Sequence, residues 1–119
     1  MTALEDTFSH LRKAMLAVAG KLPRAVDTAD HLYLNTNHIQ ENKKPLFFGA
    51  VQVKKKAVSY HLMPLYTHPE LVKQISPALK KRMQGKSCFN LSEPDAAIIQ
   101  ELKALTKACF DTYKKAGHV

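Results

Sequence analysis

Four side chains on two predicted strands have the chemistry of a small-ligand pocket. Tyr33 and Asn35 lie on the first strand, and His61 and Met63 lie two residues apart on the third. Side chains two residues apart point to the same face of a strand. Polar groups set into an apolar sheet face are typical of small-molecule sites. We therefore predict a ligand pocket at these four residues, with packing at a sheet edge or a subunit contact as the alternative.

Positive charge is concentrated in the middle of the chain. Residues 43–86 hold ten basic residues and one acidic residue, a net charge of +9, against +8 for the whole chain. Such a field attracts nucleic acid, anionic membrane surfaces or acidic ligands. The candidate anion-binding residues are Lys54, Lys55, Lys56, Lys80, Lys81, Arg82 and Lys86. Only three arginines and no stacking motif accompany them, so nucleic acid is a less favoured partner and a solvated surface is the alternative.

The other reactive side chains form no catalytic or metal-binding motif. None of the six histidines is spaced to place two imidazoles on one helix face. Cys88 and Cys109 form no CxxC pair, and we expect two free thiols. The sequence has neither GxSxG nor a glycine-rich phosphate loop. We predict no cofactor, no metal site and no enzymatic activity; an enzyme would depend on Cys88 or His61.

Two amphipathic helices and three strands must position these groups. Apolar residues three and four apart predict a first helix that ends at Gly20 and a last helix that ends at Gly117. A capping box at Thr2 and Glu5 precedes the first helix. Runs of apolar, aromatic and β-branched residues at 31–36, 46–54 and 57–65 predict strands, and their short connections favour antiparallel pairing.

Short elements fill the rest of the chain. A second capping box, Thr67 to Glu70, and the pair Ser76-Pro77 predict two short helices, and residues 87–91 predict a short strand. Residues 21–30 are predicted to be a connection. The last helix carries its apolar stripe at Ile98, Leu102, Leu105, Cys109 and Tyr113.

The second strand is apolar on both faces. Alternation places Leu46, Phe48, Ala50 and Gln52 on one face and Phe47, Gly49, Val51 and Val53 on the other. A sheet with helices on one side normally shows a polar outer face. We therefore expect the outer face to be covered by another segment, by a second subunit or in part by a ligand.

The composition is that of one globular domain. The 119 residues are 45% hydrophobic and 24% charged, which excludes a disordered or collagen-like chain. The order α-β-β-β-α-α-β-α, without repeat or linker, predicts a single α+β domain over residues 1–119, with an antiparallel sheet packed against N- and C-terminal helices. The longest apolar run near the N-terminus is too short to span a membrane, and the acidic start predicts a cytoplasmic protein.

Two stretches carry a resemblance to a known family. Residues 44–50 (KPLFFGA), a basic hairpin tip and residues 58–64 (VSYHLMP) resemble the core of the YdhG-like family of small bacterial domains. Residues 85–91 (GKSCFNL), followed by Pro94 and an amphipathic helix, are similar to its C-terminal half. The resemblance covers roughly residues 4–115 and implies an antiparallel sheet backed by helices. Some family members are described as frataxin-like iron chaperones, which use an acidic ridge on the first helix; here that helix offers only Glu5 and Asp6.

We expect a non-enzymatic binding protein that uses its apolar outer sheet face for a small ligand or for homodimer formation. A frataxin-like iron chaperone is one alternative. Non-specific binding of nucleic acid or other anions through the basic middle segment is another.

Overall fold

An antiparallel sheet carries all the helices on one of its faces. The computed structural model describes residues 3–119, so the capping role predicted for Thr2 lies outside them. The elements are α1 (Ala3–Ala19), β1 (Arg24–Asp27), β2 (His31–Ile39), β3 (Pro45–Val53), β4 (Val58–Leu62), α2 (Pro64–Thr67), a 3₁₀ helix (Pro69–Gln74), α3 (Pro77–Lys80), β5 (Met83–Gln84), β6 (Cys88–Leu91) and α4 (Ala96–Lys115). The predicted α+β class, antiparallel sheet and element order are confirmed.

The sheet has six strands in the order β1-β2-β3-β4-β6-β5, and every neighbouring pair is antiparallel. The prediction that residues 21–30 are only a connection is wrong, because they contain the edge strand β1. Three of the four β1 residues are exposed, so the strand lacks the alternation that marks a half-buried strand. Asp27 joins β1 to α1: its carboxylate accepts from Arg12 and from Arg24, both at 2.9 Å.

The apolar stripes of α1 and α4 pack on the sheet and form the core. All five stripe residues predicted for α4 are buried, and so are Phe8, Leu11 and Met15 of α1. The inner face of the sheet supplies Leu32, Leu34, Phe48, Val51, Val58, Tyr60, Leu62, Phe89 and Leu91. The buried Tyr60 hydroxyl meets the Thr106 hydroxyl at 2.6 Å, which links the sheet to α4.

A β-bulge in β3 changes which residues face the helices. Leu34 of β2 is paired with Gly49, but the next residue, Asn35, is paired with Phe47, so Phe48 is the extra residue. Our strict alternation through residues 46–53 is therefore wrong. Phe48 lies on the inner face with Gly49, Val51 and Val53, whereas Phe47 joins Ala50 and Gln52 on the outer face.

Gly49 allows α1 to approach the sheet closely. A Cβ atom at this position would lie 2.8 Å from the Met15 methyl group and 2.8 Å from the His61 carbonyl oxygen. Neither separation is sterically acceptable, so no larger residue fits without a shift of the helix or the neighbouring strand.

The ends of α4 follow the sequence signals, whereas the second capping box does not form. The Asp95 carboxylate accepts from the backbone N–H of Ile98, and Gly117 adopts a φ of 82° after the last turn. Thr67 ends α2 and contacts the ring of His68, which occupies the N-cap position of the 3₁₀ helix without a side-chain cap. None of the helices that the structure describes has the length and apolar content needed to cross a membrane.

Candidate functional site

The sheet face opposite the helices is open to solvent. Alternate residues of β2, β3, β4 and β6 line it, all of them half-buried: His31, Tyr33, Asn35, Phe47, Ala50, Gln52, Ser59, His61, Cys88 and Asn90. The expectation that another segment of the chain covers this face is therefore wrong for residues 3–119, because their helices pack on the other side. We call these ten residues the outer face.

Aromatic rings cluster at one end of the outer face. The rings of Tyr33 and Phe47 stack with centroids 4.4 Å apart and planes inclined by 20°. His61 meets Phe47 edge-to-face at 5.1 Å, and His31 meets Tyr33 at 6.2 Å. Phe47 thus lies between two of the predicted pocket residues, and their pairing register allows this because Tyr33 and His61 both flank Ala50. All four rings are partly exposed, and Tyr33 and Phe47 each use one ring face in stacking on the other.

His61 is held in one orientation by its neighbour on the next segment. Its Nε2 atom lies 2.7 Å from the Ser87 hydroxyl, and Ser87 is buried. Burial lowers the pKa of His61, so the ring is neutral at pH 7. A serine bound to a histidine is a nucleophile–base arrangement in hydrolases. Among residues 3–119, however, no carboxylate bonds the other His61 nitrogen, and the contact serves to fix the ring beside Phe47.

A groove of about 550 Å³ lies on the outer face beside the β3–β4 turn, and it adjoins the aromatic cluster only through Cys88, which is paired with His61. It is lined by Lys54, Lys55, Lys56, Ala57, Ser59, Gln84, Cys88 and Asn90. The Ser59 hydroxyl and the Cys88 sulfur are 3.0 Å apart on its floor. The three lysines are exposed, and none has a carboxylate partner within the described chain. The groove therefore combines hydrogen-bonding groups with uncompensated positive charge.

The aromatic cluster and the lysine turn are separated by the length of a small molecule. His61 is paired with Ala50, and Lys54 follows Ala50 by four residues. At a rise of about 3.3 Å per residue, four residues correspond to roughly 13 Å. A ligand with a planar ring at one end and an anionic group at the other can span this distance.

Three of the four predicted pocket residues, Tyr33, Asn35 and His61, lie on the outer face. Met63 follows the end of β4 at Leu62 and caps α2 with a helical backbone (φ −59°, ψ −36°), while its N–H donates to the Phe48 carbonyl at 2.9 Å. A role for Met63 in the pocket stays a prediction. Phe47, which the sequence analysis did not select, takes the central place.

The seven predicted anion-binding residues do not form one patch. Lys54, Lys55 and Lys56 line the outer-face groove, whereas Lys80 and Lys86 line a separate groove beside α2. Arg82 is paired with Asp95 at 3.7 Å, and Lys81 lines neither groove. Only the first group lies at the outer face.

Three histidines that are far apart in sequence meet at the C-terminus. The ring of His118 lies 4.3 Å from that of His38, centroid to centroid, and 5.2 Å from that of Tyr113, which also contacts His68. Burial lowers the pKa of His118, and charge on His38 and His68 lowers it further. The spacing of residues within a single helix or strand could not predict this cluster, because its three histidines come from β2, from the residue after α2 and from the chain end.

The cysteines are free thiols in different surroundings. Cys109 is buried in α4, where burial raises its pKa to about 12, and Cys88 is half-buried on the outer face. Within residues 3–119, no group of three or more histidine, cysteine or acidic side chains is arranged to hold a metal ion.

The functional proposals for this chain are based on its geometry, because comparisons with known proteins found no match. No family model, no curated protein and no solved structure matches this chain. The resemblance to the YdhG-like family and the cytoplasmic location therefore stay predictions.

Proposed function

We propose that the protein is a non-enzymatic binding protein whose outer face holds a small anionic molecule with a planar ring. The observation that carries this proposal is the partly exposed Tyr33–Phe47–His61 cluster, which lies on the same sheet face as a groove lined by three lysines without carboxylate partners. The ring of the ligand would lie against Tyr33, Phe47 and His61. Its phosphate or carboxylate would lie at Lys54, Lys55 or Lys56.

The chemistry of the two ends of the outer face favours binding of the ligand ring at the aromatic cluster and of its anionic group at the lysine turn. Aromatic stacking on an open face contributes to binding whichever ring is presented, since every aromatic ring offers a π-face. The neutral His61 adds no charge to the cluster, so the anion is attracted to the lysine turn and not to the ring end. Ser59, Gln84 and Asn90 line the groove beside this turn and offer hydrogen bonds to a polar linker.

Self-association is the second candidate, and the same observation raises it. An uncovered face with stacked aromatic rings is also suited to a second copy of the chain. The two candidates differ in their need for the lysines. A small anionic ligand requires them, whereas an interface between two copies would bring like charges of the two turns into one complex and gain nothing from them.

The test uses adenosine monophosphate as the probe, because it combines a planar ring with a phosphate. Adenosine and inorganic phosphate supply the two halves separately. We expect titration calorimetry to show binding of the monophosphate, with each half bound more than about tenfold more weakly. Amide shifts in an ¹⁵N-labelled sample should map to residues 31–35, 47–61 and 84–90.

Matched variants separate the site from general charge. Substitution of Lys54, Lys55 and Lys56 by Gln should weaken binding by about tenfold or more, and Phe47→Ala should do the same through the lost stack. Substitution of Lys44, Lys73 and Lys114 by Gln removes the same charge elsewhere and should change the affinity less than about twofold. Equal loss in both triple variants, or a concentration-dependent dimer with no response to the probe, would overturn the proposal.

A further inference from the structure

A second groove lies on the other side of the β5–β6 hairpin. Its volume is about 640 Å³, and it runs between the α2–3₁₀ segment and β5. The lining is Leu65, Tyr66, Pro69, Val72, Lys80, Met83, Gly85 and Lys86. Met83 and Gln84 are consecutive in β5 and point to opposite faces, so Met83 enters this groove while Gln84 enters the outer-face groove. The two sites therefore share no residue.

We propose that this second groove binds an aliphatic carboxylate, such as a medium-chain fatty acid. Five of its eight lining residues present apolar or aromatic surface, and the only charged ones are two lysines. An elongated apolar ligand with one anionic head has the complementary chemistry. This site is independent of the outer face and its ligand.

The apolar part of the groove is exposed in a way that a globular protein normally avoids. Tyr66 is 58% exposed, and only one other large hydrophobic residue in the described chain, Ile39, is exposed to this degree. Leu65 is buried beneath it, and Val72 and Met83 are partly buried against the core. An alkyl chain laid along Tyr66, Val72 and Met83 would remove from water the apolar surface that these side chains leave exposed, which is the main favourable contribution to such binding.

The positive charge at the groove is uncompensated. The Lys86 ammonium lies 5.8 Å from the centre of the Tyr66 ring, a cation–π distance, and it has no carboxylate partner within residues 3–119. Lys80 has none either. The nearby acids are occupied or lie outside the lining. Asp95 pairs with Arg82, and Glu101 accepts from Ser76 at 2.6 Å and 2.8 Å.

Glu70 follows Pro69, which lines the groove. Glu70 itself is exposed on the 3₁₀ helix and does not line the groove. Gly85, with a φ of 70°, has no atom within 4 Å of the position that a Cβ would take. The head of a ligand therefore has open access to Lys80 and Lys86 beside Gly85.

The experiment compares dodecanoate with dodecanol, both below their aggregation thresholds. We expect saturable binding of dodecanoate by calorimetry, with amide shifts confined to residues 65–86, and about tenfold weaker binding of dodecanol because it lacks the charge. Shifts centred on residues 31–61 would overturn the assignment of the site.

Charge-reversal variants test the lysines. Lys80→Glu and Lys86→Glu should each weaken dodecanoate binding by about tenfold or more. Lys81→Glu, on an exposed lysine outside the lining, makes the same change beside them and should weaken binding less than either, because its ammonium does not line the groove. All three residues are exposed, so the variants are expected to fold, and thermal melting checks this.

The result that contradicts the proposal is an absence of saturable dodecanoate binding by the folded protein. Equal loss in all three charge variants would also contradict it, because general charge attraction would then explain the binding. Neither result bears on the outer face. Binding at the outer face is measured with adenosine monophosphate and is expected to depend on Lys54, Lys55 and Lys56.

Discussion

Single side chains decide how closely the helix layer and the sheet meet. Gly49 is the clearest case, because the Met15 methyl group and the His61 carbonyl oxygen already occupy the space that a Cβ would enter. A backbone oxygen cannot move aside as a flexible side chain can. The cost of a larger residue must therefore be taken up by a shift of β4 or α1.

We predict that Gly49→Ala destabilises the protein by about 1–3 kcal/mol, the usual cost of overpacking a filled core. Urea denaturation followed by circular dichroism measures the change in the free energy of unfolding. A midpoint equal to that of the wild type would show that the His61 carbonyl and β4 adjust to the added methyl group without cost.

Two histidines set a pH dependence of stability. The folded state lowers the pKa of both His61 and His118, so the unfolded state, with an ordinary value of about 6.5, binds protons more readily. The stability that their neutral forms contribute is present above pH 6.5 and is lost as the pH falls through their folded pKa values. We expect the free energy of unfolding to decline between pH 7 and pH 5.

The His61→Gln variant checks the source of this decline. Glutamine keeps a polar side chain near Ser87 but does not titrate, so the dependence on pH should become shallower. Denaturant titrations at a series of pH values in one buffer system measure it. The same slope in the variant and the wild type would assign the effect to other groups.

At the scale of elements, the helices followed from the sequence because their signals are local. The three-and-four spacing of apolar residues in α1 and α4 is set by the helix itself, and every stripe residue of α4 is buried. The strand assignments were also close, but the faces of β3 were not. A bulge depends on how two strands pair, and nothing in residues 46–53 alone marks Phe48 as the extra residue.

This one bulge explains the main error in the candidate site. Strict alternation assigned Phe47 to the face with Gly49 and Val51, where it would have been core. The bulge instead places Phe47 between Tyr33 and His61. The faces of Tyr33, Asn35 and His61 followed from alternation because β2 and β4 are regular where these residues lie, whereas Met63 comes after the end of β4, where strand alternation no longer applies.

Two aspartates of α4, Asp95 and Asp111, allow a test of what stabilises the N-terminal end of this helix. Asp95 caps the helix by accepting from the N–H of Ile98 and also pairs with Arg82 at 3.7 Å, whereas Asp111 near the other end forms an exposed ion pair only, with Lys107 at 3.1 Å. Asp95→Ala should cost about 1 kcal/mol, and Asp111→Ala less than about 0.5 kcal/mol. Both are measured by thermal or urea denaturation, and equal costs would show that the cap does not hold the helix end.

At the scale of the whole molecule, the net charge of +8 is less informative than its distribution. The fold divides the basic middle segment between two grooves on opposite sides of the β5–β6 hairpin and uses Arg82 in an ion pair. Each groove thus combines apolar or aromatic surface with unpaired lysines. Sequence reasoning identified the charge but could not separate the two sites, because the separation depends on the positions of α2 and β5.

Native mass spectrometry of gently purified protein can detect a small anionic molecule held on the outer face. We expect a monomer mass with an excess that disappears when the same sample is denatured, and no such excess in the variant with Gln at Lys54, Lys55 and Lys56. A clean dimer mass without an excess would instead assign the face to self-association. An excess retained in full by the variant would contradict the proposal as well.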